Sequence, residues 1–371
     1  MSHARADAIV VGAGMVGAAC AEALARDGRR VLVLDARYAA AGATSAGMGH
    51  IVVMDDSPAH LALTAYSRGL WTERATRLPA DCEDQACGTL WVAADEQEMI
   101  EVRRKARILG LHGLTAEVLD SRALAEAEPL LRPGLAGGLR VPDDRVLYPP
   151  NATRHLLQEA TRQGAVIREG VQVHSLAPGE ARTSAARLQA EVIVNAAGAQ
   201  APALAAGLPI APRKGHLVIT DRYPGRLQHQ VVELGYVKSA HALGSESVAF
   251  NVQPRSTGQI LIGSSREFVG WDACINRRLL ARMLHRAAEY LPALERLDAL
   301  RVWTGFRPAT PDQQPLIGEW EPGLWVAAGH EGLGITTSLG TGQLLADLIA
   351  GRTPALDAAP YAPHRRMPAT G

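Results

Sequence analysis

Short apolar runs alternate with amphipathic segments along this chain, and their order at its beginning is informative. Residues 8–11 (AIVV) have no polar position, which is typical of a parallel strand buried on both faces. An Ala- and Leu-rich segment at 15–26 predicts a helix, and Gly28 is placed to end it. Residues 31–34 (VLVL) predict a second buried strand. The pattern therefore predicts a strand–helix–strand unit of an α/β fold.

The turn between the first predicted strand and the helix has the pattern GxGxxG, with glycines at Gly12, Gly14 and Gly17. In such a turn the first glycine permits the bend, the second lets a pyrophosphate approach the backbone, and the third lets helix and strand pack closely. Asp35 follows the second strand, where a carboxylate can accept hydrogen bonds from ribose hydroxyls. Because all these parts occur in register, the stretch predicts a dinucleotide site and disfavours a glycine turn in a nucleotide-free domain.

The middle of the chain predicts further helices and short strands. Helices are expected at residues 58–78, 95–109, 115–128, 151–162, 276–290 and 336–350, with Asn151 as an N-cap. Strands are expected at 88–93, 166–167 and 170–173, and within 191–199 a buried strand runs into small residues. The Pro- and Gly-rich segment 130–150 predicts a crossing between two parts of the molecule, and the last twenty residues predict a loose tail.

A different pattern begins near His216. Apolar and polar residues alternate with period two at 216–220, 231–237, 247–253 and 259–263, which predicts a mostly antiparallel sheet. Residues 303–308 are expected to return to the first unit. We therefore expect two domains: residues 1–80, 146–215 and 301–371 bind the nucleotide, and residues 81–145 and 216–300 form a second domain of different architecture.

Composition excludes some classes of function. Lys plus Arg and Asp plus Glu both number 38, so no net field favours nucleic acid or an anionic membrane. No apolar run reaches the length of about 18 residues that a membrane span needs. The sequence leads directly into the nucleotide motif without room for a signal peptide, so a cytoplasmic location is expected. The four cysteines show neither CxxC spacing nor a cluster with histidine, and no metal site is expected.

Three other stretches of small residues accompany the predicted nucleotide-binding elements. Residues 39–50 (AAAGATSAGMGH) follow the second strand and form a loop in which Thr44 and Ser45 can offer hydroxyl and N–H groups to a phosphate. The sequence VNAAGA at 194–199 ends a buried strand, and GHEGLG at 329–334 precedes a predicted helix. Small residues let the backbone approach a ligand, so all three stretches are candidate cofactor contacts.

Together these motifs resemble the FAD-dependent D-amino acid oxidase (DAO) superfamily, which includes glycine oxidase, sarcosine oxidase and D-amino acid dehydrogenase. The resemblance covers nearly the whole chain. Within the group, the stretch TSAGMGHIVVMDD at 44–56 is similar to the flavoprotein subunits of hydrogen cyanide synthase and D-hydroxyproline dehydrogenase. The resemblance implies a Rossmann-like FAD-binding domain of the glutathione-reductase type with a mostly antiparallel substrate domain, α+β overall.

The resemblance also implies which residues contact FAD. The first glycine turn would hold the pyrophosphate, Asp35 the adenosine ribose, and Val173 the adenine. Residues 44–50 would run toward the flavin ring, and 332–336 would reach its pyrimidine through N–H groups. Three separated glycine regions favour FAD, because NAD needs mainly the first. The full set is Gly12, Ala13, Gly14, Met15, Val16, Asp35, Ala36, Arg37, Thr44, Ser45, Ala46, Gly47, Met48, Gly49, His50, Val173, Ala196, Ala197, Gly198, Gly332, Leu333, Gly334, Ile335 and Thr336.

The reaction that the resemblance implies is oxidation of an amine next to a carboxylate, with hydride passing from Cα to flavin N5. The protein then has to hold Cα over the flavin, which needs a cation for the carboxylate. Arg307, in GFRPATPDQQPLIG, matches the family's carboxylate-binding arginine. Its planar fork can bind both carboxylate oxygens. The alternative reading is a surface or interdomain arginine.

Two histidines are weaker candidates. His50 ends the loop toward the flavin and could accept the amine proton or contribute only backbone contacts. His330 lies in a GH dipeptide for which a packing role is favoured. In glycine oxidase the C-terminal glycine turn resembles the pattern GHxRxG. The corresponding turn of this chain reads GHEGLG and lacks that arginine, which disfavours simple glycine oxidase specificity. Tyr236, Phe250 and Glu331 are further substrate-pocket candidates, although aromatic residues at strand spacing are more often core.

Several classes of function stay open. The favoured one is an FAD-dependent dehydrogenase of a D-amino acid, best D-proline or cis-4-hydroxy-D-proline. The resemblance implies that partner flavin and iron–sulfur subunits take the electrons, because this chain lacks the cysteines for a cluster; such subunits could hold it at the inner membrane. The alternatives are an oxygen-using glycine, sarcosine or D-amino acid oxidase, an NAD-dependent dehydrogenase, and a non-catalytic flavin-binding subunit.

Overall fold

The computed structural model describes residues 6–235 and 246–367, and these form strands in four sheets. The strands are β1 (Ala8–Val11), β2 (Val31–Leu34), β3 (His50–Ile51), β4 (Thr89–Ala93), β5 (Glu117–Asp120), β6 (Gly137–Val141), β7 (Arg145–Val146), β8 (Val166–Arg168), β9 (Val173–Ala177), β10 (Glu180–Thr183), β11 (Arg187–Gln189), β12 (Val192–Asn195), β13 (Ala211–Thr220), β14 (Gln230–Glu233), β15 (Glu246–Pro254), β16 (Ile260–Glu267), β17 (Ala299–Ala309), β18 (Leu316–Glu321) and β19 (Leu324–Ala328).

Helices connect these strands. They are α1 (Met15–Arg26), α2 (Pro58–Ala75), α3 (Glu96–Leu111), α4 (Ser121–Ala127), α5 (Pro149–Arg162), α6 (Ala201–Leu204), α7 (Arg277–Tyr290) and α8 (Ser338–Ile349). Short 3₁₀ turns add Ala80–Cys82, Gly198–Gln200, Pro292–Arg296, Glu331–Leu333 and Ala359–Tyr361. The mixed α/β class predicted from the sequence is confirmed.

The first sheet contains six strands in the order β18-β19-β12-β1-β2-β8. All neighbours pair in parallel except the edge strand β18, which is antiparallel to β19. β1 is buried along its whole length, as its apolar run predicts. One face of the sheet packs on α1, α5 and α8, and the other packs on α6 and on the small antiparallel sheet of β9, β10 and β11. This is the layered arrangement expected around a nucleotide-binding sheet.

The second sheet contains eight strands in the order β17-β13-β16-β15-β14-β4-β6-β5. Its neighbours are antiparallel except for β14 and β4, which confirms the mostly antiparallel expectation. The amphipathic helix α7 covers one face with Leu279, Met283 and Ala287. Strands β13 and β17 run across residues 215/216 and 300/301, where the sequence suggested domain boundaries. The proposed division of the chain stays a prediction.

One expectation for residues 115–150 was wrong. Within the expected helix at 115–128, Glu117–Asp120 forms an exposed edge strand, β5. Only Ser121–Ala127 (α4) is helical. The segment 130–150, which is expected to cross between two parts of the molecule, also carries β6 and β7, two strands that its Gly and Pro content did not predict. β6 has two neighbours in the sheet, β4 and β5. Its hydrogen bonds to both strands outweigh the low strand propensity of its two glycines.

Two expectations about helix and chain ends were also wrong. α5 begins at Pro149 with Tyr148 as N-cap, so Asn151 lies inside the helix; Pro suits this first position because its missing N–H would have had no partner there. The last described residues are not a loose tail. The Tyr361 side chain is 1% exposed and its hydroxyl donates to the backbone carbonyl of Ala59 over 2.7 Å.

Candidate functional site

A cavity of about 760 Å³ is lined by residues of both large sheets. Residues at the carboxyl ends of β1, β2, β12 and β19 form one side of it, and residues of β13 to β17 form the other. Open α/β sheets bind ligands at the carboxyl ends of their strands. The volume is within the range of cofactor and substrate cavities.

The first glycine turn is closed tightly against strand β12. Gly12 has a φ of +108°, and a Cβ there would lie 2.5 Å from the backbone oxygen of Ala196. The turn leads into the N-terminus of α1, whose N-cap Gly14 has no side chain to cap it. Thr44 takes that role from the loop, because its Oγ1 accepts the Met15 N–H over 3.0 Å. The N–H groups and the dipole at the start of α1 therefore lie at the cavity wall.

Asp35 connects the turn to the end of β2. Its Oδ2 accepts the Ala13 N–H over 2.8 Å, and its Oδ1 accepts the Arg37 N–H over 2.8 Å. An ionised carboxylate has acceptor sites for further hydrogen bonds, so Asp35 can still accept from a ligand hydroxyl. Asp35, Arg37 and Val173 all line the cavity, and their contact with the adenosine end of a dinucleotide stays a prediction.

The loop at 44–50 is held from both sides of the cavity. The Gln253 Nε2 donates to the Met48 carbonyl over 2.8 Å, and the Trp303 indole N–H donates to the Ala46 carbonyl over 3.3 Å. At the other end, the Thr336 hydroxyl donates to the His50 carbonyl over 2.9 Å. The loop is thus fixed between the second sheet and the turn before α8.

Arg307 reaches the cavity from β17 across a glycine of the neighbouring strand. A Cβ at Gly215 would lie 2.1 Å from the Arg307 Nη1, so the guanidinium occupies the space that a side chain would need. The same Nη1 donates to the Ser265 carbonyl over 3.1 Å. On the other side, a Cβ at Gly332 would lie 3.6 Å from Arg307 Nε. Arg307 therefore lies between the second sheet and the C-terminal glycine turn, and it lines the cavity.

Glu331 precedes Gly332, the position at which the related GHxRxG motif has an arginine, and it forms an ion pair with Arg213. Arg213 Nη1 lies 3.3 Å from Glu331 Oε1, and only 7% and 11% of the two side chains are exposed. Arg213 is directly opposite Arg307 in the pairing of β13 and β17. The Glu331 carboxylate offsets part of the positive charge that two adjacent arginines bring to this side of the cavity.

Both predicted histidines are neutral at ordinary pH. His50 keeps some surface at the cavity, but burial lowers its pKa from 6.5 to about 4, with a smaller contribution from the positive charge of Arg307. Burial lowers the pKa of His330 to about 3, and its Nε2 lies 3.0 Å from the Thr341 hydroxyl. His50 is therefore near Arg307 and can form hydrogen bonds, but it is a weak proton acceptor.

Most predicted contact residues line the cavity, but five of those that the structure describes do not. Ala13, Ser45, Gly49 and Thr336 lie behind it or beside it. Phe250 packs on the Tyr290 ring in the core of the second sheet, with ring centroids 4.7 Å apart, which favours the core role. Tyr236 lies outside the described residues.

Sequence reasoning missed most of the second-sheet side of the cavity. The missed lining residues include Trp91, Arg213, Gln230, Val232, Asn251, Ser264, Arg266 and Trp271. They belong to no short motif. Strand alternation was the available signal, because Asn251 stands between two apolar residues that face the core, Phe250 and Val252.

These features were compared with known proteins. A model described as FAD dependent oxidoreductase matches residues 7–348. The chain belongs to this family. Its cofactor is FAD, which agrees with the closed glycine turn, the helix N-terminus at the cavity wall and the separated glycine-rich stretches that line the cavity.

Relatives in this family include amino acid dehydrogenases and oxidases. The chain is 31% identical to a D-amino acid dehydrogenase of Xanthobacter autotrophicus over 81% of this chain and 72% of that enzyme. It is 29% identical to glycine oxidase of Geobacillus kaustophilus over the full length of both. The crystal structure of that oxidase matches with a TM-score of 0.88, covering 98% of this chain and 100% of that chain. Hydrogen cyanide synthase subunit HcnC of Pseudomonas aeruginosa is 28% identical over 98% of this chain and 96% of that subunit.

In residues 6–235 and 246–367, no helix has the length and apolar character required to cross a membrane. Among these same residues, His, Cys, Asp and Glu side chains do not come together in groups of three that could hold a metal ion.

Proposed function

We propose that this oxidoreductase oxidises the CH–NH bond of a small D-amino acid to the imine, with D-proline or cis-4-hydroxy-D-proline as the best candidates. The observation that carries the proposal is the position of Arg307 between Gly215 and Gly332, at the cavity wall and beside the turn predicted to hold the flavin. A guanidinium there can bind a substrate carboxylate through two parallel hydrogen bonds. The family relationship to a D-amino acid dehydrogenase supports the substrate class.

The residues of this chain would hold FAD in three places. Asp35 would bind the adenosine ribose, the N-terminus of α1 with Thr44 the pyrophosphate, and the 332–336 turn the flavin. Bound FAD supplies a two-electron acceptor for the hydride that leaves the substrate Cα. The chain supplies orientation: Arg307 fixes the carboxylate, and the amino acid must enter with its nitrogen unprotonated, because its lone pair forms the C=N bond as the hydride leaves.

Glu331 supports a specificity different from that of simple glycine oxidase. The next residue, Gly332, stands where the related motif has an arginine, so the second cation of that motif is absent. The Glu331 carboxylate disfavours a substrate carboxylate at this turn and leaves Arg307 to bind it. His50, with a pKa lowered to about 4, would contribute a hydrogen bond and would not remove the amine proton.

We further propose that the electrons pass to partner subunits. The likeness to a hydrogen cyanide synthase subunit supports an assembly of this kind, and the likeness to glycine oxidase over the full chain supports the alternative, an oxidase that uses oxygen. A non-catalytic flavin-binding subunit is the remaining candidate.

The test is reduction of the protein-bound flavin without oxygen. Purified protein is mixed with D- and L-amino acids, glycine, sarcosine, D-proline and cis-4-hydroxy-D-proline, and the loss of flavin absorbance is followed. We expect reduction by the D-prolines and a large loss of the rate in Arg307→Ala at unchanged flavin content. If no amino acid reduces the flavin, the proposal is wrong. Full activity of an assembled complex that carries Arg307→Ala would favour the non-catalytic subunit, and peroxide formation in air would identify an oxidase.

A further inference from the structure

A group of uncharged polar side chains lies on the cavity side of the second sheet. Gln230 begins β14, and Asn251 and Gln253 lie two residues apart on β15. Val232 pairs with Asn251 and Val231 with Val252, so the same register brings Gln230 next to Gln253. We call these three side chains the amide patch.

Strand geometry explains why the amide patch faces the cavity. Successive side chains of a strand point to opposite faces, so Asn251 and Gln253 share one face while Phe250 and Val252 point into the apolar core. Gln230 and Asn251 line the cavity directly. Gln253 is fixed beside them, because its Nε2 donates to the Met48 carbonyl over 2.8 Å.

The amide patch is buried and its hydrogen-bonding capacity is not used up. Gln230, Asn251 and Gln253 are only 3%, 4% and 2% exposed. The carbonyl oxygens Gln230 Oε1, Asn251 Oδ1 and Gln253 Oε1 have no hydrogen-bond partner. Buried amide oxygens without a partner are costly, and native proteins rarely keep three of them together unless another molecule supplies the donors.

The charges around the cavity indicate what kind of donor is suitable. Leaving aside Asp35 and Arg37 at the end of β2, the arginine and carboxylate side chains among the described lining residues are Arg213, Arg266, Arg307, Asp56 and Glu331. Three arginines against two carboxylates leave one positive charge, which one substrate carboxylate balances. A second carboxylate or a side-chain ammonium would upset this balance. An uncharged O–H group would not.

We propose that the amide patch is a specificity-determining subsite that accepts a hydrogen bond from a hydroxyl group on the substrate. The inference rests on the proposed function, because it takes the carboxylate to be held by Arg307. The enzyme then prefers a hydroxylated amino acid over the analogue that lacks the hydroxyl. A site built to hydrogen-bond a hydroxyl discriminates strongly, since the analogue leaves its buried oxygens without partners.

Two pairs of amino acids that differ by a single hydroxyl test the proposal in the flavoprotein. They are cis-4-hydroxy-D-proline with D-proline, and D-serine with D-alanine. The measurement is the ratio of kcat/KM within each pair, from anaerobic flavin reduction. In the unmodified protein we expect kcat/KM to be higher for the hydroxylated member of at least one pair, by about tenfold or more. A factor of about ten corresponds to the free energy of one hydrogen bond to a buried group.

The variants are Asn251→Leu and Gln230→Met, which keep the side-chain volume and remove the amide. We expect each to reduce the ratio by about tenfold while the activity on the member without the hydroxyl persists. Asn251→Gln keeps an amide and should retain part of the preference. Gln189→Leu, an exposed position on β11, is the control for loss of an amide elsewhere.

The outcomes separate this inference from the proposed function. If none of the four amino acids reduces the flavin of the unmodified protein, the proposed function fails and this inference fails with it. If they reduce it but the ratio is the same in the unmodified protein and both variants, only the amide patch proposal is wrong. Loss of bound flavin in both variants would also overturn it, because the amide oxygens would then serve the cofactor.

Discussion

Gly215→Ala tests the position of Arg307 without touching its charge. The φ of Gly215 is not in the left-handed region, so the backbone accepts alanine, but the new Cβ would lie 2.1 Å from Arg307 Nη1. An ordinary contact begins at 3.4 Å, so the guanidinium has to move by at least 1.3 Å, the difference of the two distances. The atom that must yield is the end of a flexible side chain, so the fold is expected to persist.

The magnitude follows from the required precision of substrate orientation. A misplacement of about 1 Å can cost a factor of about 100 in rate, equal to about 2.7 kcal/mol of transition-state stabilisation. We therefore expect Gly215→Ala to lower kcat/KM by about 100-fold for the amino acid that reduces the flavin fastest, at unchanged flavin absorbance. Gly69→Ala is the matched control, because a Cβ at this exposed position of α2 meets no atom within 4 Å and its activity should be unchanged.

A double variant separates this explanation from others. If Gly215→Ala acts through Arg307, then Gly215→Ala combined with Arg307→Ala is no worse than Arg307→Ala alone. Losses that multiply in the double variant would mean that Gly215 acts by another route. Activity of Gly215→Ala within twofold of the unmodified protein would refute the view that Arg307 orients the substrate from its observed position.

Three other predictions concern the cofactor and stability. Gly12→Ala places a Cβ 2.5 Å from the Ala196 backbone oxygen at a φ of +108°, so we expect FAD affinity about tenfold to a hundredfold lower, measured by titration of the apoprotein. Tyr361→Phe should lower the free energy of unfolding by about 1–2 kcal/mol, whereas Tyr38→Phe, at an exposed position, should not change it. The folded-state pKa of His330 is lowered to about 3, so its contribution to stability is complete above pH 6.5 and is lost as the pH falls. Between pH 7.5 and 5 we expect the free energy of unfolding to fall by about 2 kcal/mol for this reason. His330→Asn should remove this part of the pH dependence, measured by urea unfolding.

The cofactor side of the site could be predicted from sequence because its determinants are local. β1, the glycine turn, α1 and β2 follow one another within about thirty residues, and each has a pattern of its own. The side chains that matter there, such as Asp35 and Thr44, lie next to these elements. Many of the predicted cofactor contacts are backbone groups, so small residues in the sequence are a direct sign of them.

The substrate side could not be predicted in the same way. Its lining residues come from β4, β13, β14, β15, β16 and β17, which are adjacent only after the sheet has formed. Whether Asn251 faces the cavity or the core depends on register, and a shift of one residue would exchange it with Phe250. Helix and strand ends were missed for related reasons: β5 is an exposed edge strand without an apolar alternation, and it exists because β6 pairs with it.

The pair of Arg213 and Glu331 links the two sides of the site. Arg213 is opposite Arg307 in neighbouring strands, and two positive side chains so arranged would repel each other and compete for one carboxylate. Glu331 comes from the C-terminal glycine turn, where its φ of +49° is unusual for a residue with a side chain, and it pairs with Arg213. The turn that is predicted to bind the flavin therefore also sets the charge next to the predicted substrate arginine. A change in this turn would alter the predicted cofactor contacts and the substrate electrostatics together. The absence of the motif's arginine at Gly332 and the presence of Glu331 beside it therefore bear on substrate specificity as well as on packing.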